Sequence, residues 1–153
     1  MHCLNLHSQK NNQLSHLINT TTFRVRFSEV DTLQIVWHGN YLKYFEDGRD
    51  SWGAQYGLDF VQVYEQHGLL APLVSTELKF KYPLRYGDKG LIETTFVNSN
   101  AAKAIFRYRI FDEHKTQLKV EGETIQVFTD INYNLQLYTP TFLEEWKVKH
   151  GLL

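Results

Sequence analysis

Cysteine is nearly absent from this sequence. Cys3 is the only one in 153 residues, so neither an intramolecular disulfide nor a multi-cysteine metal site can form, and a reducing cytoplasm is the expected compartment. An excess of charge is also missing: sixteen Lys and Arg against seventeen Asp and Glu leave a net charge of −1. With no basic tract and no acidic tail, the balance argues against nucleic-acid binding through phosphate neutralisation and against a basic partner. Nor is any window close to the ~18 apolar residues of a membrane span, and residues 1–22 lack the charged stretch and apolar core of a secretion signal. Three prolines, no repeat and no low-complexity linker leave nothing to divide the chain. A hydrophobic share of 42% with 14% aromatics suffices for one sizeable core. Residues 1–14 (MHCLNLHSQKNNQL) are polar and aperiodic and read as a mobile tail, leaving residues 15–153 as a single domain. The histidines His2, His7 and His16 have no fixed spacing on a predicted element, which favours solvated side chains over a metal site.

The stretch from Phe23 to Tyr56 organises the rest. Tyr41, Leu42, Phe45, Trp52 and Tyr56 recur at the spacing that gives a helix one buried stripe, with Lys43, Glu46, Asp47, Arg49 and Asp50 on the other face. Asn40 stands where a side-chain N-cap belongs, and Gly39 permits a sharp entry. A helix N-terminus, with its unpaired N–H groups and positive dipole end, is therefore expected just after Val36, Trp37 and His38. Glu46 and Arg49, three apart, read as a structural ion pair.

Downstream, residues 72–82 alternate, placing Val74, Thr76, Leu78, Phe80 and Tyr82 on one face and Ser75, Glu77, Lys79 and Lys81 on the other. Turn chemistry in residues 83–90 (PLRYGDKG) separates this strand from others over 91–98, 102–111 and 118–129. Short connections predict a four-strand antiparallel meander. Gly122 inside the last strand marks a bulge or a close backbone approach. Thr139 and Pro140 read as the cap and first residue of a short C-terminal helix. The order strand, long helix, four strands is an α+β arrangement in which a sheet wraps one helix. Such a unit leaves an edge or face for a second chain, so a dimer is expected.

Between the first strand and the helix lies the candidate for chemistry. Asp31 stands in a polar turn beside Ile35, Val36 and Trp37, where a helix N-terminus favours its ionised form, fit to attack or to activate water. By residue type alone a turn-capping aspartate is the commoner outcome. His38 likewise reads either as an acid–base group or as a polar neighbour of the helix start.

Taken together, Asp31, Ile35, Val36, Trp37, His38, Asn40, Tyr41, Tyr44, Phe45, Glu46 and Arg49 resemble the signature of the hotdog-fold acyl-CoA thioesterases. This is the group of 4-hydroxybenzoyl-CoA thioesterase and the Tol-Pal-associated thioesterases. The later run Tyr82, Pro83, Leu84, Arg85, Tyr86, Gly87, Asp88 is similar to that family's turn after its second strand. The resemblance spans roughly Thr22 to Thr129. It implies a long central helix wrapped by an antiparallel sheet, homodimers or tetramers with active sites at the dimer interface, an acyl-CoA or acyl-carrier thioester as substrate, and no cofactor or metal. It places the catalytic aspartate on Asp31 and the carbonyl-polarising backbone N–H on His38, with Trp37, Asn40, Tyr41 and Lys103 as substrate contacts. Many relatives carry glycine where this chain has Gln34; a side chain there is expected to narrow the acyl pocket or add a hydrogen bond. The hydratases of the same fold need a His-Phe-Pro-Gly type motif, which is absent, and a non-catalytic acyl-CoA binder is the reading from outside enzymology.

Overall fold

Residues 18–24 (INTTTFR) are rich in threonine, whose branched side chains favour extended backbone. They form β1 (Ile18–Arg24) in the computed structural model, which describes residues 17–153. The segment 1–14 read as a tail, with Cys3, and the histidines His2, His7 and His16 lie outside the described residues. After β1 come α1 (Tyr41–Tyr56), α2 (Phe60–His67), β2 (Leu73–Phe80), β3 (Lys89–Val97), β4 (Lys103–Asp112), β5 (Leu118–Val127) and α3 (Thr141–Lys149). Single 3-10 turns at Phe27–Glu29 and His38–Asn40 punctuate the path from β1 to α1.

All five strands join one antiparallel sheet in the order β1-β3-β4-β5-β2. The middle of the expected meander is present in β3, β4 and β5, but β2 does not pair with β3. It crosses to the far edge beside β5, with Leu78 opposite Gly122, and β1 takes the place next to β3. The segment after β2 is thus a crossover rather than a hairpin. Long-range hydrogen bonds hold it: the Leu84 carbonyl accepts the Val36 N–H (2.8 Å), the Asp88 carbonyl accepts the Val25 N–H (2.8 Å), and the Val25 carbonyl accepts the Gly87 N–H (3.1 Å).

The sheet wraps α1, whose buried face is Tyr41, Tyr44, Phe45, Gly48, Trp52 and Gly53. Two glycines in that stripe replace apolar side chains. At Gly48 an added Cβ would lie 2.5 Å from Thr94 Oγ1 and 2.7 Å from Ile92 Cγ2, so the helix sits closer to β3 than any larger residue allows. Trp52 is fully buried against Phe96 and Phe106 (ring centroids 5.5 and 5.0 Å), and its indole N–H donates to the Leu17 carbonyl (2.9 Å). Gly122 marks a close approach, with no shift of register there: it leaves room for the Phe45 ring, which stacks on Tyr108 (4.3 Å).

The face of the sheet away from α1 carries charges in pairs, Arg107 with Glu123 (2.9 Å), Lys81 with Glu121 (3.5 Å), and Arg109 with Glu93 (3.3 Å). Among the described residues Glu46 and Arg49 do not form the expected ion pair. The Arg49 guanidinium instead turns toward the Gln126 amide and the face of Phe60, because its half-buried stem points at the sheet rather than along the helix surface. At the C-terminal helix Pro140 occupies the capping position itself and no side chain caps it, one residue later than the expected Thr139 cap. The sequence reading omits α2 altogether. Its signals are local: Asp59 accepts from the Val61 and Gln62 N–H groups, and Gly68 closes the helix in a left-handed conformation.

Candidate active site

The chain between β1 and α1 folds back on itself. The Asp31 N–H donates to the Ile35 carbonyl (2.9 Å), the Gln34 N–H donates to the Asp31 carbonyl (2.9 Å), and Val30 and Val36 face each other in an antiparallel bridge. Closing so tight a loop requires Gln34 at φ 60°, the left-handed region that a glycine reaches without strain. Gln34 is exposed and, within one protomer, is not among the residues that line the cleft beside it; its place is in the turn.

One oxygen of Asp31, Oδ1, accepts the Leu33 N–H (2.8 Å). Its second oxygen has no protein partner among the described residues. The turn-capping reading of Asp31 is therefore correct for one oxygen and leaves the other free for chemistry. Asp31 lines a cleft of about 410 Å³ with Leu33, Ile35, Val36, His38 and Tyr41 on one side and residues 80–83, at the end of β2, on the other. Tyr41 closes the floor: it is buried, its ring meets Phe80 edge-on at 5.2 Å, and burial pushes its phenol above the ordinary value.

At the rim of this cleft the 3-10 turn His38–Asn40 leads into α1. The Trp37 N–H goes to the Glu29 carbonyl and the Asn40 N–H to the Trp37 carbonyl (both 2.9 Å), while the N–H groups of His38 and Gly39 go to no described protein acceptor. Free donors at the positive end of a sixteen-residue helix favour a developing negative charge. The structure thus brings Asp31, His38 and Tyr41 to one cleft.

The other expected contacts lie elsewhere in the same chain. Trp37 is half exposed, its ring against the His38 ring (4.9 Å) and over Gly39, where any Cβ would collide with it. That packing, more than backbone freedom, requires the glycine. Asn40 is buried and does not cap the helix with its side chain; its Nδ2 donates to the Glu29 carbonyl (2.9 Å). Lys103 opens β4 opposite Val127, whereas the cleft flanks Phe80, which pairs with Val120 and through it with Ile110. Seven residues of strand put Lys103 about 23 Å from that end of the sheet.

Sequence reasoning missed Glu29. Its carboxylate is buried and accepts the Tyr44 hydroxyl (2.6 Å) and the Arg26 N–H (2.8 Å), so one residue ties the loop to the second turn of α1 through its side chain and to Trp37 and Asn40 through its carbonyl. The same carboxylate, after burial, pushes the Tyr44 phenol far above its ordinary value. A glutamate two residues before an aspartate gives no local sign of this. Among the described residues no group of three or more His, Cys, Asp or Glu side chains is placed to hold a metal ion.

Residues 25–146 match the family described as the thioesterase-like superfamily. YneP of Bacillus subtilis, whose name as an acyl-CoA thioesterase is provisional, is 30% identical over 95 residues, 62% of this chain and 68% of that protein. The 1,4-dihydroxy-2-naphthoyl-CoA hydrolase of Thermosynechococcus vestitus is 20% identical over 80% of this chain and 83% of its own length. Among solved structures, the DHNA-CoA thioesterase of Staphylococcus aureus superposes with a TM-score of 0.77 at 22% identity, covering 88% of this chain and 92% of that one. An aspartate-to-asparagine mutant of 4-hydroxybenzoyl-CoA thioesterase in complex with 4-hydroxybenzoyl-CoA superposes with a TM-score of 0.73 at 22% identity, covering 84% of this chain and 97% of that one. The expected sheet-around-helix arrangement is the fold these structures share, and the chain belongs to the thioesterase-like superfamily.

Proposed function

We propose that this chain hydrolyses acyl-CoA thioesters in the cleft between Asp31 and the start of α1, as a dimer that completes the cleft. Family membership sets the reaction class, thioester hydrolysis, and the relatives named for acyl-CoA substrates support CoA as the thiol carrier. What supports the residue assignment is that one apolar cleft is lined both by Asp31, which has a carboxylate oxygen with no protein partner among the described residues, and by His38, whose helix-start N–H has no described acceptor.

The thioester carbonyl oxygen accepts from the His38 N–H as charge builds on it. Asp31 either takes a proton from a water that attacks the carbonyl carbon, or attacks it directly to give a mixed anhydride that a second step, attack by water, splits into the free acid and the regenerated carboxylate. The bond to sulfur breaks and CoA leaves as a thiolate, which needs little help from a general acid. Losing one such oxyanion donor typically costs ~10²–10³ in rate. The imidazole of His38, also on the cleft, orients the substrate.

Dimerisation is part of the reading. β2 is the edge strand of the sheet; Phe80, although Tyr41 of α1 meets its ring, stays more than half exposed (53%), as does Val74 at the register shift near the start of the strand (57%). Lys103 lies at the sheet end that carries the start of β2, where it would serve the partner's cleft as a contact for CoA phosphate. The test is release of free CoA, read with a thiol reagent, from a panel of acyl-CoA and acyl-carrier thioesters. Turnover on CoA thioesters that is lost in Asp31→Asn supports the assignment; no turnover on any thioester overturns it.

A further inference from the structure

β1 lies at the edge of the sheet opposite β2 and meets β3 on one side only. Its hydrogen bonds alternate, so the place of each residue in the run tells which way its backbone points. The Val25 N–H donates to the Asp88 carbonyl (2.8 Å), the Gly87 N–H to the Val25 carbonyl (3.1 Å) and the Phe96 N–H to the Leu17 carbonyl (3.1 Å), with no shift of register between. Asn19, Thr21 and Phe23 therefore turn their N–H and carbonyl groups to β3, as Leu17 and Val25 do. Thr20, Thr22 and Arg24 turn theirs outward, and all three are exposed. Ile18 agrees: its carbonyl, also outward, accepts the Tyr56 hydroxyl (2.7 Å). Among the described residues no strand pairs with that side.

Strand edges are commonly guarded by lysine, proline or a bulge. β1 has none of these, and its three threonines favour extended backbone. A cavity of about 520 Å³ lies beside it, lined by Thr22, Phe23 and Arg24 from the strand and by Tyr44 and Asp47 from α1, so the edge has room for an occupant. Charge says which kind. Arg24 and Arg26 are exposed and stand two residues apart on extended backbone, hence on one face of it, and neither forms an ion pair with a described carboxylate. The carboxylates of the cavity do not satisfy them: Glu29 holds the Tyr44 hydroxyl and the Arg26 N–H, and Asp47 makes no ion pair with either. A second copy of β1 is a poor occupant, because residues 18–24 contain no Asp or Glu to set against the arginines.

We propose that the outward edge of β1 docks an extended segment of a partner protein, which pairs antiparallel with Thr20, Thr22 and Arg24 and sets carboxylates against Arg24 and Arg26. Main-chain bonds supply the hold, and alternation fixes the side chains the segment must carry. Those on the face of the arginines are acidic. Those on the other face are apolar, since that is the face on which Phe23 meets the Tyr44 ring of α1 (4.8 Å). The site is at the far edge of the sheet from β2 and stands apart from the catalytic reading.

The probe is a fluorescein-labelled peptide, Glu-Ile-Glu-Val-Thr-Val-Thr, whose glutamates fall opposite Arg26 and Arg24 in antiparallel pairing; it is titrated against the full chain by fluorescence anisotropy. A Kd below about 100 µM is expected. Binding should weaken at least ~10-fold when both glutamates of the peptide become lysine, and by as much in the variant Arg24→Ser with Arg26→Ser. Thr22→Pro tests the backbone. The Thr22 N–H points away from β3, so proline is tolerated by the sheet there and removes a donor from the edge; a Kd raised at least ~10-fold with an unchanged Tm is expected. Amide exchange locates the peptide: the N–H groups of Thr20, Thr22 and Arg24 should slow at least ~10-fold on binding, while those of Thr21 and Phe23, already bonded to β3, stay as they were. No binding at about 1 mM peptide, equal binding of the acidic and basic peptides, or binding that leaves those three amides unprotected overturns the proposal. So does protection of the same amides in the chain alone, since the edge would then be filled by the chain itself or by a second copy. If Thr22→Pro fails to fold, the arginine variant and the exchange pattern decide.

Discussion

The side-chain amide of Asn40 and the carbonyl of Glu29 are 2.9 Å apart, and that same carbonyl accepts the Trp37 N–H. Both donors flank His38, so the N–H proposed to hold the oxyanion is held from either side by one oxygen. Asn40→Ala removes one of the two and leaves the carbonyl still paired. The expected cost to stability is about 0.5–1.5 kcal/mol, the usual worth of one hydrogen bond, whereas the loosened His38 N–H is expected to lower kcat ~10- to 100-fold with little change in KM. Steady-state kinetics check this. A rise in KM alone would return Asn40 to the role of substrate contact.

Gly122 and Phe45 give a second expectation. A methyl at residue 122 would stand 2.6 Å from the Phe45 ring and press on the Glu77 carbonyl of β2. Neither gives way easily: the ring is clamped against Tyr108, and the carbonyl belongs to a paired strand. Gly122→Ala is expected to destabilise by roughly 1–3 kcal/mol, the range for overpacked cores. At ~2–4 °C per kcal/mol for a chain of this size, the drop in Tm is readable by thermal denaturation.

How much of this was legible in the sequence follows from the range of the forces involved. The alternation of residues 72–82 marks β2, and the stripe through Tyr41, Phe45 and Trp52 marks α1, because side-chain period is local. Which strand β2 pairs with is not local. The turn chemistry after it suits a hairpin equally well, and only the bonds from Leu84 to Val36 and from Asp88 to Val25 reveal a crossover. At the site, Asp31 and His38 were legible as a motif. Glu29 was not, since its partner Tyr44 is fifteen residues away on another element. Gln34 was not legible as a turn residue, since its left-handed backbone at φ 60° is set by the closing of the loop around it.

Two turn-building aspartates contribute stability that is expected to be lost in acid. Asp112 is held below the ordinary carboxylate range by the Thr116 hydroxyl and then by the Gln117 N–H; Asp130 is held below it by the Asn134 amide and then by the Asn134 N–H. A depressed folded-state pKa means that the unfolded chain takes up protons first, near pH ~3.9, so the stabilisation is present above that value and is lost as pH falls through the lowered folded values. Melting temperature is expected to change little from neutrality to about pH 5 and then fall. In Asp130→Asn the acid limb should be shallower, which a series of melting curves from neutral to acid pH would show; an identical limb would remove Asp130 from this account.

Asp31 carries the sharpest expectation, because its two oxygens do different work. Oδ1 holds the Leu33 N–H at 2.8 Å, the other oxygen has no protein partner among the described residues, and Asp31 lines the cleft. Asparagine keeps a carbonyl oxygen for Leu33 and lacks the negative charge needed to attack a carbonyl or deprotonate water. Asp31→Asn is therefore expected to retain the loop and the fold, with Tm within a few degrees of wild type, while kcat falls by ~10²–10⁴, the usual consequence of losing a general base, or further if the carboxylate is the nucleophile. Substrate should still bind, since the apolar cleft and the His38 N–H are untouched. A complex with unhydrolysed acyl-CoA, seen by calorimetry together with negligible release of thiol, is the outcome that fits. Turnover near the wild-type kcat would move the search to the next carboxylate on α1, Glu46. Unfolding of the variant would mean instead that the charge on Asp31, beyond its bond to Leu33, holds the loop between β1 and α1.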